Sequence, residues 1–322
     1  MIETPSLRSK VLVLDDAAPA AALRGLCEQH QLTGLRAHAD TLSAVLQSNV
    51  DLGAVLLAEH DTRGHRTGAA LARVIHAQRP ELPIFLRREH QPVLDDLPAE
   101  EQALFSAAYT LQDGQALAAA VERWIFDRVY PPTLVRGIGE MSKLALESQL
   151  IDFRVEAEPP HVVRDRIIYG ELFTLIPLEA QWCRGTMTLQ AKEQELLALV
   201  REGRTHADPE AAHLRTVNHV FGEITNLIWG AFRNRFVAYK DFTGHMAQVP
   251  IVVNHEQRYI SFGSEDPQLC FRYTLVDTRE PARPPVTVVQ RFIFNLSWQP
   301  EDFHENRESL DALVEAGELE LF

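Results

Sequence analysis

The chain has 322 residues, 46% of them hydrophobic and 24% charged, with a net charge of −14. At roughly 100 to 200 residues per domain, that length is too great for one ordinary core and predicts two. The 45 Asp and Glu against 31 Lys and Arg, with no clustered basic stripe, exclude a protein that tracks nucleic-acid phosphates. Cys27, Cys183 and Cys270 are far apart and odd in number, which fits reduced thiols rather than a disulfide framework. No apolar run reaches the roughly 18 residues of a membrane span. The N-terminus MIETPSLRSK lacks the apolar centre of a secretory signal. The expected setting is the cytoplasm, with neither nucleic acid nor membrane as a partner.

Residues 10–130 alternate short apolar runs with amphipathic stretches, the pattern of a doubly wound α/β domain on a parallel sheet. Strands are expected near 11–14, 33–37, 54–57, 84–86 and 107–111, and helices around 19–30, 41–48, 68–78, 98–106 and 114–128. Pro131 and Pro132 suit neither a helix interior nor a central strand, so a first domain of 1–131 is expected to end there. Beyond them a helix is expected over 134–150, strands at 152–157, 166–178 and 184–190, and a short helix over 192–201. A long helix follows from about 209 to 236, with Asp208 as its N-cap and Pro209 at its first position. Strands at 248–253, 258–263, 269–277 and 286–297 complete an α+β domain over 132–300. The proline-rich 279–285 reads as a hairpin loop. An acidic tail, 301–322, carries one amphipathic stretch at 308–316. No internal repeat stands out.

The long helix is the most informative stretch. At about 100° per residue, Val217, Val220, Phe221, Ile224, Leu227 and Ile228 share one arc, and His219, Glu223, Asn226 and Gly230 share an arc roughly opposite. One face is dry and the other carries a carboxylate and a carboxamide three residues apart. Gly inside an exposed helix costs about 1 kcal/mol relative to Ala. Gly230, one turn beyond Asn226, therefore suggests close approach by another protein. Trp229, at the edge of this face, suits either a docking contact or the core. The spacing Glu-x-x-Asn alone recurs on many solvated helices and specifies little. His60 with His65, and His206 with His213 and His219, lack a compact ligand spacing and read as surface residues rather than a metal site. No GxSxG, HExxH, P-loop or GxGxxG motif occurs.

The opening KVLVLDD resembles the first strand of response-regulator receiver domains, in which an acidic pair binds Mg²⁺, an Asp ending the third strand takes the phosphoryl group, a Thr or Ser ends the fourth strand and a Lys ends the fifth. Asp15 and Asp16 match the acidic pair. The acceptor position falls on Ala58, Glu59 or His60, the fourth-strand position on Arg87 or Arg88, and the Lys position near Gln112. The resemblance is thus to a degenerate receiver, with Asp15, Asp16 and Glu59 as its altered site and Asp15 and Asp16 as the candidate Mg²⁺ ligands. The same region is similar to the non-catalytic wing domain of basic amino-acid decarboxylases, whose pyridoxal-phosphate domain has no counterpart here.

GEITNLIWGAF, preceded by GTMTLQ and a helix, resembles the signature of the CheX and CheC family of chemotaxis phosphatases over 134–298. Glu223 and Asn226 match the family's Glu and Asn, Pro250 in AQVPIVV matches a Pro about two dozen residues later, and His219 stands where Ser or Asp is usual. The resemblance implies that the protein hydrolyses the aspartyl phosphate of a separate response regulator, with Glu223 docking and Asn226 positioning water, and His219, Gly230 and Pro250 in support. It also implies a homodimer with no tightly bound cofactor, the Mg²⁺ belonging to the phosphorylated receiver partner. The alternative is a non-enzymatic dimeric signalling adaptor built from a pseudo-receiver and an inactive CheX-like domain.

Overall fold

The computed structural model describes residues 7–16, 18–48, 51–60, 67–237, 251–261 and 266–306. Its first half holds β1 (Arg8–Leu14), α1 (Ala20–Gln29), β2 (Leu32–Arg36), α2 (Leu42–Ser48), β3 (Leu52–Ala58), α3 (Gly68–Gln78), β4 (Ile84–Arg87), α4 (Ala99–Gln102), β5 (Ala107–Tyr109) and α5 (Gly114–Trp124). These strands are parallel in the order β2-β1-β3-β4-β5, a doubly wound sheet. All seven residues of β3, LGAVLLA, are buried, because helices cover both faces. On one face lie Leu23, Leu26, Leu117 and Val121 of α1 and α5. On the other lie Leu42, Leu46, Leu71 and Ile75 of α2 and α3. Helix α4 is shorter than the expected 98–106, since Phe105 turns into the core and the Ser106 N–H donates to the Ile84 carbonyl at 2.9 Å.

The second half holds α6 (Pro132–Gln149), β6 (Phe153–Ala157), β7 (His161–Val163), β8 (Ile167–Glu179), β9 (Cys183–Ala191), α7 (Glu193–Arg201), α8 (Leu214–Phe236), β10 (Ile251–Ser261), β11 (Gln268–Asp277) and β12 (Val286–Trp298). The two strands expected at 248–253 and 258–263 form one, β10, with a register shift between Asn254 and Arg258. Antiparallel pairing runs β10-β8-β9-β12-β11, and β6 and β7 share the far edge of β11. The 279–285 segment links β11 and β12 as the expected hairpin, with Leu275 opposite Val286.

The junction of the halves has no expected counterpart. Strand β7 pairs antiparallel with β11 and parallel with β1, matching Arg8 with His161 and Ser9 with Val162, so all twelve strands belong to one sheet. Arg8 N–H donates to the Pro160 carbonyl at 3.0 Å, Arg164 N–H to the Leu52 carbonyl at 3.0 Å, and the Ser9 hydroxyl to the Val162 carbonyl at 2.8 Å. The core is continuous as well. One cluster of buried side chains runs from Val11 in β1 through Tyr130 and Leu134 to Phe294 in β12. Pro131 caps α6 and Pro132 opens it, where the missing N–H costs nothing. Beside them the Tyr130 hydroxyl donates to the Pro267 carbonyl at 3.0 Å. Arg128 reaches the Phe294 carbonyl and pairs with Asp266 at 3.0 Å. All three cysteines are buried and free. No helix among the described residues is long and apolar enough to cross a membrane.

Gly53, at the start of β3, lies against this junction: a Cβ there would meet Ser9 Oγ at 2.0 Å and the Val162 carbonyl oxygen at 3.2 Å. Gly53→Ala is expected to destabilise the whole chain by about 1–3 kcal/mol, the cost of overpacking. Urea unfolding followed by far-UV circular dichroism and by tryptophan fluorescence should give one shared transition, displaced equally for both probes.

Candidate functional site

Helix α8 starts later than expected. Asp208 caps a separate 3-10 turn, Pro209–Ala211, by accepting from Glu210 N–H at 3.0 Å. Ala212 is extended, and His213 is the N-cap of α8, its Nδ1 accepting from Thr216 N–H at 3.2 Å. From there Val217, Val220, Phe221, Ile224, Ile228, Phe232 and Phe236 face the core. Trp229 is 8% exposed and stacks on Phe232 with ring centroids 6.0 Å apart, which assigns it to the core. Leu227, expected on the dry arc, is instead 38% exposed.

The rotational setting of α8 is fixed inside the motif itself. Thr225 is fully buried, its hydroxyl 2.6 Å from that of Thr174 in β8 and 2.9 Å from the Phe221 carbonyl. With Thr225 held inward, its neighbours Glu223 and Asn226 point to solvent. Neither makes a side-chain hydrogen bond or ion pair among the described residues. His219 is exposed one turn before Glu223. Gly230 is half-buried, with nothing among the described residues within 4 Å of where a Cβ would stand. Glu223, Asn226, His219 and Gly230 therefore share one open stripe, bordered by Leu227. Pro250 lies outside the described residues, as do His65 and 307–322 of the tail. The described tail caps the far end of α8: Asn306 Nδ2 donates to the Asn234 and Val237 carbonyls, each at 2.9 Å, and Glu305 pairs with Arg235 at 2.7 Å.

Helix α6 repeats the frame, a likeness missed in the sequence. Gly139-Glu140-Met141-Ser142-Lys143-Leu144 aligns with Gly222-Glu223-Ile224-Thr225-Asn226-Leu227, and from the Glu onward both read exposed, buried, buried, exposed, exposed. Ser142 is tied inward as Thr225 is, donating to Gln290 Oε1 at 3.0 Å. The helices pack closely where Gly137 faces Phe236, a Cβ there standing 2.5 Å from the ring. On α6, however, Lys143 replaces the carboxamide, and Glu140 is bound by Arg235 at 2.8 Å. Among the described residues, only the α8 copy is open.

The acidic end of β1 is arranged differently. Asp15 is buried and bound by both Arg87 Nε and Arg87 Nη2, the latter at 3.1 Å from Oδ1, and it accepts from Ala18 N–H at 2.9 Å. Asp16 turns to His38 at 3.0 Å and Arg36 at 3.8 Å. Glu59, one of the three candidates for the acceptor position, follows the end of β3 and pairs with Arg88 at 3.0 Å. Arg88 also holds Asp96 at 2.6 Å and the Val93 carbonyl at 3.0 Å. Burial draws the Arg87 guanidinium down, but its hydrogen bonds and charge interaction with Asp15 outweigh this and raise it above its ordinary value. Hydrogen bonding to Asp96 raises Arg88 likewise. Gln112, at the expected Lys position, is exposed. The donor set does not fit Mg²⁺: Asp15, Asp16 and Glu59 are each turned to a different basic partner. No group of three His, Cys, Asp or Glu among the described residues is placed to hold a metal.

No protein-family model matches the chain, and no curated protein matches it. Among solved structures, the chemotaxis protein CheX from Vibrio vulnificus is 20% identical, with a TM-score of 0.35 over 49% of this chain and 97% of that one. CheX from Desulfovibrio desulfuricans is 15% identical, with a TM-score of 0.35 over 49% and 97%. The signal receiver domain of a modulated diguanylate cyclase from Desulfovibrio desulfuricans G20 is 18% identical, with a TM-score of 0.31 over 37% and 95%. At these scores neither an activity nor a residue's role passes from those proteins to this one.

Thr225→Val leaves the Thr174 hydroxyl without this partner in a buried setting and is expected to cost about 1–3 kcal/mol in urea unfolding, whereas Thr225→Ser retains most of the stability. Asn226→Ala and Glu223→Ala, which break no contact among the described residues, should stay within about 0.5 kcal/mol of the parent.

Proposed function

We propose that the open stripe of α8 docks on the phosphorylated receiver of a separate response regulator and speeds hydrolysis of its aspartyl phosphate. The observation that carries this reading is the exposed Glu223 and Asn226, without a side-chain partner among the described residues and set outward by a buried Thr225 between them. Hydrolysis of an acyl phosphate needs one water held in line behind phosphorus, and fixing it removes an orientational cost from the barrier. A carboxamide can hold that water through its N–H₂ and C=O groups while staying neutral beside an anionic phosphoryl group. Asn226 takes this role. Glu223, one turn away, pairs with a Lys of the receiver and sets the docking geometry. The receiver brings its own Lys and Mg²⁺.

The target is in trans. Thr225 meets β8, which stands five strands from β1 in the sheet order, about 24 Å at 4.8 Å per strand. Asp15 lies beyond the far end of β1, about 20 Å along the strand from the Arg8–Ser9 junction at 3.3 Å per residue. The stripe cannot close on the acidic end of its own chain without breaking the shared sheet.

Purified protein mixed with phosphorylated receivers of its host should shorten the phosphorylated lifetime of at least one of them, and Asn226→Ala should lower kcat by about 100-fold or more with little change in KM. Glu223→Ala should chiefly raise KM. An unchanged lifetime for every receiver of the host would leave an adaptor, not an enzyme. Acetyl phosphate, by contrast, should leave no covalent mark on residues 1–131, read by intact-mass spectrometry; a phosphorylated residue near Glu59 would return this half to the class of working receivers.

A further inference from the structure

We propose that Arg87 is the resident cation of the acidic end of β1, occupying the place a divalent ion would need, so that Mg²⁺ leaves this half of the chain unchanged. The inference does not rest on the reading of α8. Asp15 has a side chain that is 0% exposed and Arg87 one that is 9% exposed, so the pair is withdrawn from water. Two guanidinium nitrogens engage the two carboxylate oxygens, one to each, in the fork geometry that makes Arg–carboxylate pairs strong and directional. A third donor, Ala18 N–H, shares Oδ1 with Arg87 Nη2. Mg²⁺ demands near-octahedral oxygens at about 2.0–2.1 Å and gives up its waters reluctantly. It would have to displace a positively charged group that is covalently fixed to β4 and already desolvated.

The neighbouring groups reinforce the arrangement. An ion needs carboxylates that converge, and here they diverge: Asp16 toward His38 and Arg36, Glu59 toward Arg88. The last residue of β4 and the one after it therefore serve the two ends of the site. Arg87 turns inward to Asp15, while Arg88 ties Glu59 to Asp96 and to the Val93 carbonyl, holding the segment that follows β4 across the sheet end. A purely structural ion pair and a stand-in for the metal differ in one respect. Removing the guanidinium should unmask a response to Mg²⁺ only in the second case.

The test uses the full chain, by thermal unfolding and isothermal titration calorimetry with MgCl₂ against NaCl of matched ionic strength. The parent and Arg87→Lys should show no midpoint shift beyond the salt control. Arg87→Thr should gain about 5 °C in about 10 mM MgCl₂ and titrate a single site. If Arg87→Thr is unfolded without the metal, Mg²⁺ should restore its circular dichroism spectrum. Adding Asp15→Asn to Arg87→Thr should abolish the response. A parent that responds to Mg²⁺ beyond salt, an Arg87→Thr protein that gains nothing from saturating Mg²⁺, or a response that survives Asp15→Asn each overturns the proposal.

Discussion

The main-chain pairing of β7 with β1 governs the rest of the molecule. Three residues, His161–Val163, complete the edge of β11 on one side and the start of β1 on the other. Without them Gln268–Cys270 of β11 and Arg8–Ser9 of β1 would present unpaired N–H and C=O groups beside buried side chains such as Leu269 and Ser9, and such groups are costly unless paired. The pairing also gives the buried cluster its continuity. Tyr130, Phe294 and Trp298 pack at 4.4–6.3 Å ring separations around the point where the chain leaves the first half. The two halves are thereby held at one angle, which keeps the stripe of α8 and the acidic end of β1 apart.

The second constraint is the phase of α8. A 23-residue helix with a buried side can settle in several rotations that bury similar apolar areas. Hydrogen bonding is less forgiving. The Thr225 and Thr174 hydroxyls satisfy one another only when position 225 faces β8, and that choice sends 223 and 226 outward. Leu227 accompanies them. Its exposure is a consequence of the same phase, because a residue two places after Thr225 is about 200° around the helix from it. Thus one buried hydroxyl pair specifies both the polar members of the stripe and its apolar border.

Much of this was legible in the sequence, and the exceptions have physical causes. The α/β alternation, the hairpin at 279–285 and the opposed faces of α8 follow from periodicity, which reports burial on one side of an element. Strand β7 is three residues long and follows two prolines, too short for any period, and it exists because two edges needed covering. The start of α8 was displaced because Asp208 and Pro209 are good opening residues for a helical turn and did open one, but the turn stopped after Ala211. The positions of Asp15, Asp16, Glu59, Glu223 and Asn226 could be read from patterns along the chain. The pairing could not: the sequence places Arg87 or Arg88 beside the acidic end, but that Arg87 turns to Asp15 and Arg88 to Glu59 and Asp96 is settled only by the fold. The likeness of α6 to α8 was present in the letters, yet it acquires meaning only from the matched burial of Ser142 and Thr225.

Charge completes the account of the stripe. A chain of net charge −14 repels an anionic target at long range, but beyond a Debye length of about 8 Å at physiological salt that repulsion is screened. Docking at α8, as proposed, would depend on contacts made at close range. The groups exposed there act at short range: the neutral carboxamide of Asn226, the carboxylate of Glu223 and the apolar side chain of Leu227 one turn from that carboxylate. The acidic end of β1 has the opposite character. Its carboxylates are matched within the chain by Arg87, Arg88 and Arg36, so it carries little unbalanced charge to attract a cation or repel a neighbour. One end of the shared sheet is chemically closed, whereas Glu223 and Asn226 of the helix beyond the junction are exposed with no side-chain partner among the described residues.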